Sequence, residues 1–190
     1  MNTYFKTISV ILISILFAQC SRENQFLIEK NRVGKISKEN KILEIDAIFA
    51  KDSIVKRLSE GDLGGRESKF IQDNDEYLIY SKDGKHLLTI VPTKQHDSTS
   101  TIKYVEVMDN RFKTEKGLSL ISPFKEINTN YIINKVETSL TSATLYIDEL
   151  NATLALDKND IGVNTFSNKE ITVEQIPDLA KIKYLTVWFD

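Results

Sequence analysis

Two apolar-rich runs, Glu76–Ser81 and His86–Val91, are separated only by Lys82-Asp83-Gly84-Lys85. An Asp-Gly pair takes up the positive backbone angles of a tight turn at little cost, and its twist matches that of the strands it joins. This segment therefore commits the middle of the chain to an antiparallel hairpin. A second alternating pair follows the same logic: Ala143–Asp148 and Ala152–Asp157 flank a turn at Leu150-Asn151. Single strands are expected at Ser53–Leu58, Tyr131–Val136, Ile102–Val107 and Ile182–Phe189, the last two both opening Ile-Lys-Tyr.

Helical signal is short and appears twice. Asn40–Asp46 and Ser122–Asn128 align without a gap, each opening on a cap-type residue with apolar residues three apart. Pro123 suits a first helical turn, and Gly34 and Gly117 precede the two starts. These segments predict an α+β chain of two related units, each of order helix, strand, hairpin, strand, with antiparallel sheets and one short helix packed on each. The first unit is expected over 32–108, a linker over 109–116 and the second unit over 117–190. Further loops are expected at Ser59–Lys69, Pro92–Ser100 and Lys158–Ile171.

The chain has 25 Lys and Arg against 27 Asp and Glu in 190 residues, with 41% hydrophobic residues and three Pro. It can bury a core, and it carries no basic excess of the kind that drives nucleic-acid binding, so no nucleic-acid partner is expected.

The N-terminus addresses the chain to export. Lys6 is followed by the apolar stretch Ile8–Ala18, too short to span a bilayer, which needs ~20 apolar residues. It reads as a signal peptide over 1–19. The single cysteine of the chain comes next, in Leu16-Phe17-Ala18-Gln19-Cys20-Ser21. That segment resembles the lipobox of bacterial lipoproteins, with Gln19 and Phe17 departing from its preferred residues. The resemblance implies cleavage before Cys20, a diacylglycerol on its thiol, and acylation (palmitate or a similar chain) of its new amino group. Cys20 is then the lipidation site and residues 20–31 a lipidated tether. A lone cysteine in an exported chain has no internal disulfide partner, which lipidation explains; the alternative is a free thiol in a simple secreted protein. Removing residues 1–19 from 190 leaves 171 and takes Lys6 away, so the charge becomes 24 − 27 = −3.

Catalytic signal is sparse. With two His and one Cys, no catalytic residue, metal site or cofactor is assigned. His96-Asp97-Ser98 invites a triad reading, but triad members come together from separate elements; a solvated loop is expected, and His86 is read as a half-exposed strand residue. Gly61-Asp62-Leu63-Gly64-Gly65-Arg66 is a weak candidate anion-binding loop, in which Gly61, Gly64 and Gly65 would turn backbone N–H groups toward the ligand and Arg66 would supply charge. It lacks the phosphate-loop lysine. Asp157-Lys158-Asn159-Asp160-Ile161-Gly162 partly matches a calcium loop but has Ile161 and Asn168 where oxygen ligands belong. Asn151-Ala152-Thr153 matches a glycosylation sequon and is read as a turn. Asp148 and Glu149 are neighbours on the chain, so on a strand they would point to opposite faces and could not flank one glycosidic bond.

In the last strand, alternation sets Tyr184 and Trp188 on one face and Leu185, Val187 and Phe189 on the other. A strand apolar on both faces is expected to be central or covered; an exposed one would mark a partner surface.

Taken together, Cys20, the short tether and the two helix starts resemble the uncharacterised small lipoproteins of the Gram-negative cell envelope. The resemblance implies location and architecture and carries over no catalytic residue. It places the chain in the bacterial envelope, lipid-anchored, at the outer membrane on its periplasmic side. Two function classes follow: a non-catalytic binding or interaction module with an envelope protein or glycan partner, or a carboxylate-based periplasmic hydrolase.

Overall fold

The computed structural model describes residues 24–59, 74–164 and 169–189. A single turn of 3-10 helix at Asn24–Phe26 leads into three short strands, β1 (Leu27–Glu29), β2 (Arg32–Val33) and β3 (Ile36–Ser37). Another such turn at Ile42–Glu44 runs into the four-residue helix α1 (Ile45–Ile48). Then come β4 (Ser53–Arg57), β5 (Glu76–Tyr80), β6 (His86–Pro92) and β7 (Ile102–Val107). After β8 (Lys113–Thr114) and the seven-residue helix α2 (Phe124–Asn130) follow β9 (Lys135–Thr138), β10 (Ser142–Ile147) and β11 (Ala152–Asp157). The short helix α3 (Lys158–Ile161) and the strand β12 (Ile182–Trp188) complete the described elements.

The expected α+β architecture is overturned. Among the described residues the chain is mostly β, with twelve strands in two sheets and only short helices. The large sheet has eight antiparallel strands in the order β4-β5-β6-β7-β12-β11-β10-β9, and the small one runs β3-β2-β1-β8. The separate sheets expected for two units are one continuous sheet because β7 and β12 pair along their length, Val107 opposite Leu185 and Tyr104 opposite Trp188. Two four-strand sheets would each leave a bare edge at these apolar strands, and pairing them satisfies both rows of backbone donors and acceptors. The expected helix at 40–46 is instead a 3-10 turn plus four residues of α-helix. Its cap is built by Glu44, whose carboxylate accepts from Lys41 N at 3.1 Å and from Asn40 Nδ2 at 3.0 Å.

One row of side chains crosses the whole large sheet. Ile54, Ile79, Leu88, Val107, Leu185, Leu154, Leu145 and Val136 are successive register partners from β4 to β9. This inward face packs on Ile28, Val33 and Ile36 of the small sheet, on Ile45 and Phe49, and on Phe124 and Ile127 of α2, all buried in one core. Period-two alternation then sends the intervening residues to the opposite, outward face.

The small sheet draws on segments read as tether and linker. β1 pairs antiparallel with β2 and parallel with β8, setting Ile28 opposite Thr114. Phe26 meets Phe112 edge to face at 5.0 Å, with the Arg111 guanidinium 4.7 Å from the Phe26 ring centre. Gly34 closes the turn between β2 and β3 at φ +57°, where a Cβ would fall 2.5 Å from the Gln25 carbonyl oxygen, so both backbone angle and space require glycine there.

Candidate functional site

Cys20, Gly61, Gly64, Gly65 and Arg66 all lie outside the described residues. The remaining motifs are placed. Asp157 caps α3, accepting from Asn159 N at 3.0 Å, and pairs with Lys183 Nζ at 3.0 Å, so the calcium-like stretch is a helix cap and an ion pair. Among the described residues no group of three or more His, Cys, Asp or Glu is placed to hold a metal. Asp148 and Glu149 go to different hollows: Asp148 beside Trp188, Glu149 in an ion pair with Lys116 at 2.7 Å beside Tyr131.

His96 does meet a serine and an aspartate, though not its chain neighbours. Asp97 is used locally, accepting from Thr99 N at 2.8 Å. His96 Nε2 lies 2.9 Å from Ser59 Oγ, and the buried Asp75 carboxylate accepts from Ser59 N at 2.8 Å, Ser59 Oγ at 3.0 Å and His96 N at 2.6 Å. Gln95 Oε1 accepts from Asp75 N, and Gln95 Nε2 donates to Asn74 at 3.2 Å. The three residue types of a hydrolytic triad are present, but the wiring differs. In a triad the aspartate holds the imidazole at Nδ1 and the imidazole takes the serine proton. Here Asp75 Oδ1 stands 3.9 Å from His96 Nδ1, beyond hydrogen-bond reach, and instead accepts the hydrogen bond that Ser59 Oγ donates. The hydroxyl is thereby tied down, and the cluster is a clamp that joins Ser59 and Asp75 to the β6–β7 loop. Burial pushes the Asp75 carboxyl up, but the hydrogen bonds from His96 and Ser59 outweigh it and hold the pKa below the usual aspartate value.

The outward face of the large sheet is open only in part: Leu78, Thr89, Val91 and Thr153 on it are buried, whereas Tyr104, Tyr146, Thr186 and Trp188 are half-buried. Its middle row runs Leu78, Thr89, Glu106, Thr186, Thr153, Tyr146 through six neighbouring strands. Beside it stand Tyr104 and Trp188, register partners whose rings lie 4.9 Å apart at 53°. Trp188 Nε1 donates to Thr153 Oγ1 at 3.1 Å. Toward the other side His86 stacks on Tyr80 at 4.7 Å and shares a 3.1 Å contact with Thr89 Oγ1, and Tyr184 is 47% exposed. A hollow of about 360 Å³ at the β10–β11 end is lined by Tyr146, Asp148, Asn151, Thr153 and Trp188 among others. Alternation alone places Tyr184 and Trp188 together, but their partners on β7 and β11 follow from long-range register, which no local pattern encodes.

Glu106 sits in the centre of this face. Burial, reinforced by the Glu76 carboxylate, pushes its pKa above the usual glutamate value. The fold therefore binds this proton more tightly than the unfolded chain does, and stability falls as pH climbs from about 4.5 toward the raised value. Glu106→Gln is expected to raise the melting temperature at pH 7 and to flatten that slope. Thermal unfolding followed by circular dichroism from pH 4 to 8 checks this; an unchanged profile would show that Glu106 is as well solvated in the fold as outside it.

No protein-family model matches the chain, and a search of curated proteins finds no match. Among solved structures the fold is similar to the uncharacterised protein YfeY from Escherichia coli, with a TM-score of 0.51 and 10% identity over 85% of this chain and 99% of that one. At that identity the likeness shows a shared fold.

Proposed function

We propose that the protein is an exported, lipid-anchored envelope module that binds a partner without transforming it. The observation that carries this reading is the outward sheet face, where Tyr80, Tyr104, Thr186, Trp188, Thr144 and Tyr146 stand half-buried on four strands. Large, stiff aromatic side chains contribute contact area at small entropic cost, and anchoring raises their effective concentration near envelope partners. The anchor itself rests on the signal segment and the lone Cys20. Among the described residues no helix is long and apolar enough to cross a membrane.

The same reading takes the two meanders, β4–β7 and β9–β12, as copies of one ancestral element. Isolated bridges at matching places support this, Lys41 with Thr101 just before β7 and Pro123 with Lys181 just before β12.

Cys20→Ala is expected to abolish fatty-acid incorporation and to release the protein from the membrane fraction. Metabolic labelling and fractionation check it, and continued labelling of the variant would end the lipoprotein reading. Binding is tested by crosslinking from a photoreactive residue at Thr186, the middle of the outward face. A reproducible adduct is the expected result, and a face that captures neither protein nor glycan in intact envelopes would refute a binding role.

A second reading, a carboxylate-based hydrolase, rests on Glu106 and Glu76, which share the outward face and of which Glu106 carries a raised pKa. Release of new reducing ends from isolated cell-wall sacculi would favour it over the binding module.

A further inference from the structure

The large sheet ends at β9, which pairs with β10 alone among the described residues. In that pair Ser139 N donates to Ser142 O at 2.9 Å, and the register carries the pattern back along the strand. Lys135 and Glu137 therefore turn their backbone N–H and C=O groups toward β10, and Val136 and Thr138 turn theirs away, along the sheet edge. Such a row is a template for one more strand. The segment 170–174 passes the same edge without pairing to it as a strand. Its Ile171 N donates to the Thr138 side chain at Oγ1, 3.0 Å away, and the Ile171 side chain is buried in the core. Between β9 and this segment lies a hollow of about 770 Å³, lined by residues 133–138 of one and 170–174 of the other.

Two properties of the lining choose the occupant. Ile133, Val136 and Val173 are half-buried there beside the buried Ile171, an apolar strip that can take alternate side chains of an extended chain. The charged groups are Glu137, Glu170 and Glu174 against Lys135, all exposed. Lys135 is held by Glu137, whereas Glu170 and Glu174 have no basic partner among the described residues. Lys169 precedes Glu170 in the chain and is not part of the lining. The excess is negative, so a basic segment is favoured there and an acidic one repelled. We propose that this trough docks an extended, lysine- or arginine-bearing segment of a partner protein, which joins the large sheet as a further strand beside β9. Its docking groups are those of β9 and segment 170–174, not the aromatic residues of the outward face, so the two surfaces stand or fall separately.

The full chain, purified in detergent, is titrated with a dye-labelled peptide of alternating lysine and valine, and binding is read by fluorescence anisotropy. Saturable binding is expected, with hydrogen exchange slowed at the Val136 and Thr138 amides, the two N–H groups on the open edge. Replacing both carboxylates, Glu170→Gln with Glu174→Gln, should weaken binding about fivefold, the effect of two exposed ion pairs, and leave the melting temperature unchanged. The same peptide methylated on alternate backbone nitrogens should not bind, because it cannot complete the strand ladder. No binding at about 1 mM peptide would overturn the assignment. So would equal binding of the glutamate-valine analogue, or binding that leaves the Val136 and Thr138 amides unprotected. Sedimentation of the peptide-free chain as a dimer with those two amides already protected would also overturn it, since a second copy would then hold the edge. Capture or failure at Thr186 tests the outward face and changes none of these outcomes.

Discussion

Leu185→Ala is expected to cost about 2–5 kcal/mol of folding stability. Leu185 is 1% exposed on the central strand β12, and its row partners are Val107 on one side and Leu154 on the other. Truncation removes methyl groups from the seam that joins the two meanders, where neighbours on both sides are held in register and have little room to collapse into the void. Thr186→Ala, one residue along, alters only the outward face and should cost under about 0.5 kcal/mol. Urea unfolding followed by Trp188 emission measures both, and a Leu185→Ala loss below about 1 kcal/mol would mean that the seam is not tightly packed.

Asp75→Ala should cost about 2–3 kcal/mol at pH 7. The carboxylate is 1% exposed and accepts from two backbone N–H groups and one hydroxyl; removing it strands those donors where water does not replace the acceptor. Because its folded-state pKa is lowered, this stabilisation is present above the unfolded aspartate value of about 4. It is lost as pH falls through the lowered folded value. Asp75→Asn, which keeps one acceptor oxygen, should lose less than the alanine variant and should unfold with a shallower acid slope. Denaturant titrations at neutral and acid pH test this, and a full-sized acid slope in Asp75→Asn would assign the transition to other carboxylates.

Individual strands of the large sheet were readable from local pattern. Ile102–Val107 and Ala152–Asp157 are spanned as read, and Gly84 takes φ +79° in the expected turn. The architecture was not readable, because whether β7 pairs with β12 depends on which edges remain bare after the meanders form, a long-range question. The strand expected at Tyr131–Val136 begins only at Lys135, since Tyr131 caps α2 and turns its side chain into the core. The small sheet escaped notice because strands of two or three residues carry no period. Ser59, Asp75 and His96 sit far apart in sequence, so their clamp left no motif. The closest hint was His96 in a loop rich in hydroxyls.

The seam has a consequence in time as well as in energy. Tyr104 and Trp188 are 188 − 104 = 84 positions apart, whereas hairpin partners such as Leu78 and Thr89 are 89 − 78 = 11 apart. Local contacts close quickly, and distant ones wait on the slow diffusion of long chain segments. Each meander can therefore zip early, and a late intermediate would hold both with β7 and β12 still apart, two long apolar edges open to any other chain. Closure of the seam, which sets Tyr104 beside Trp188, would then cover both edges.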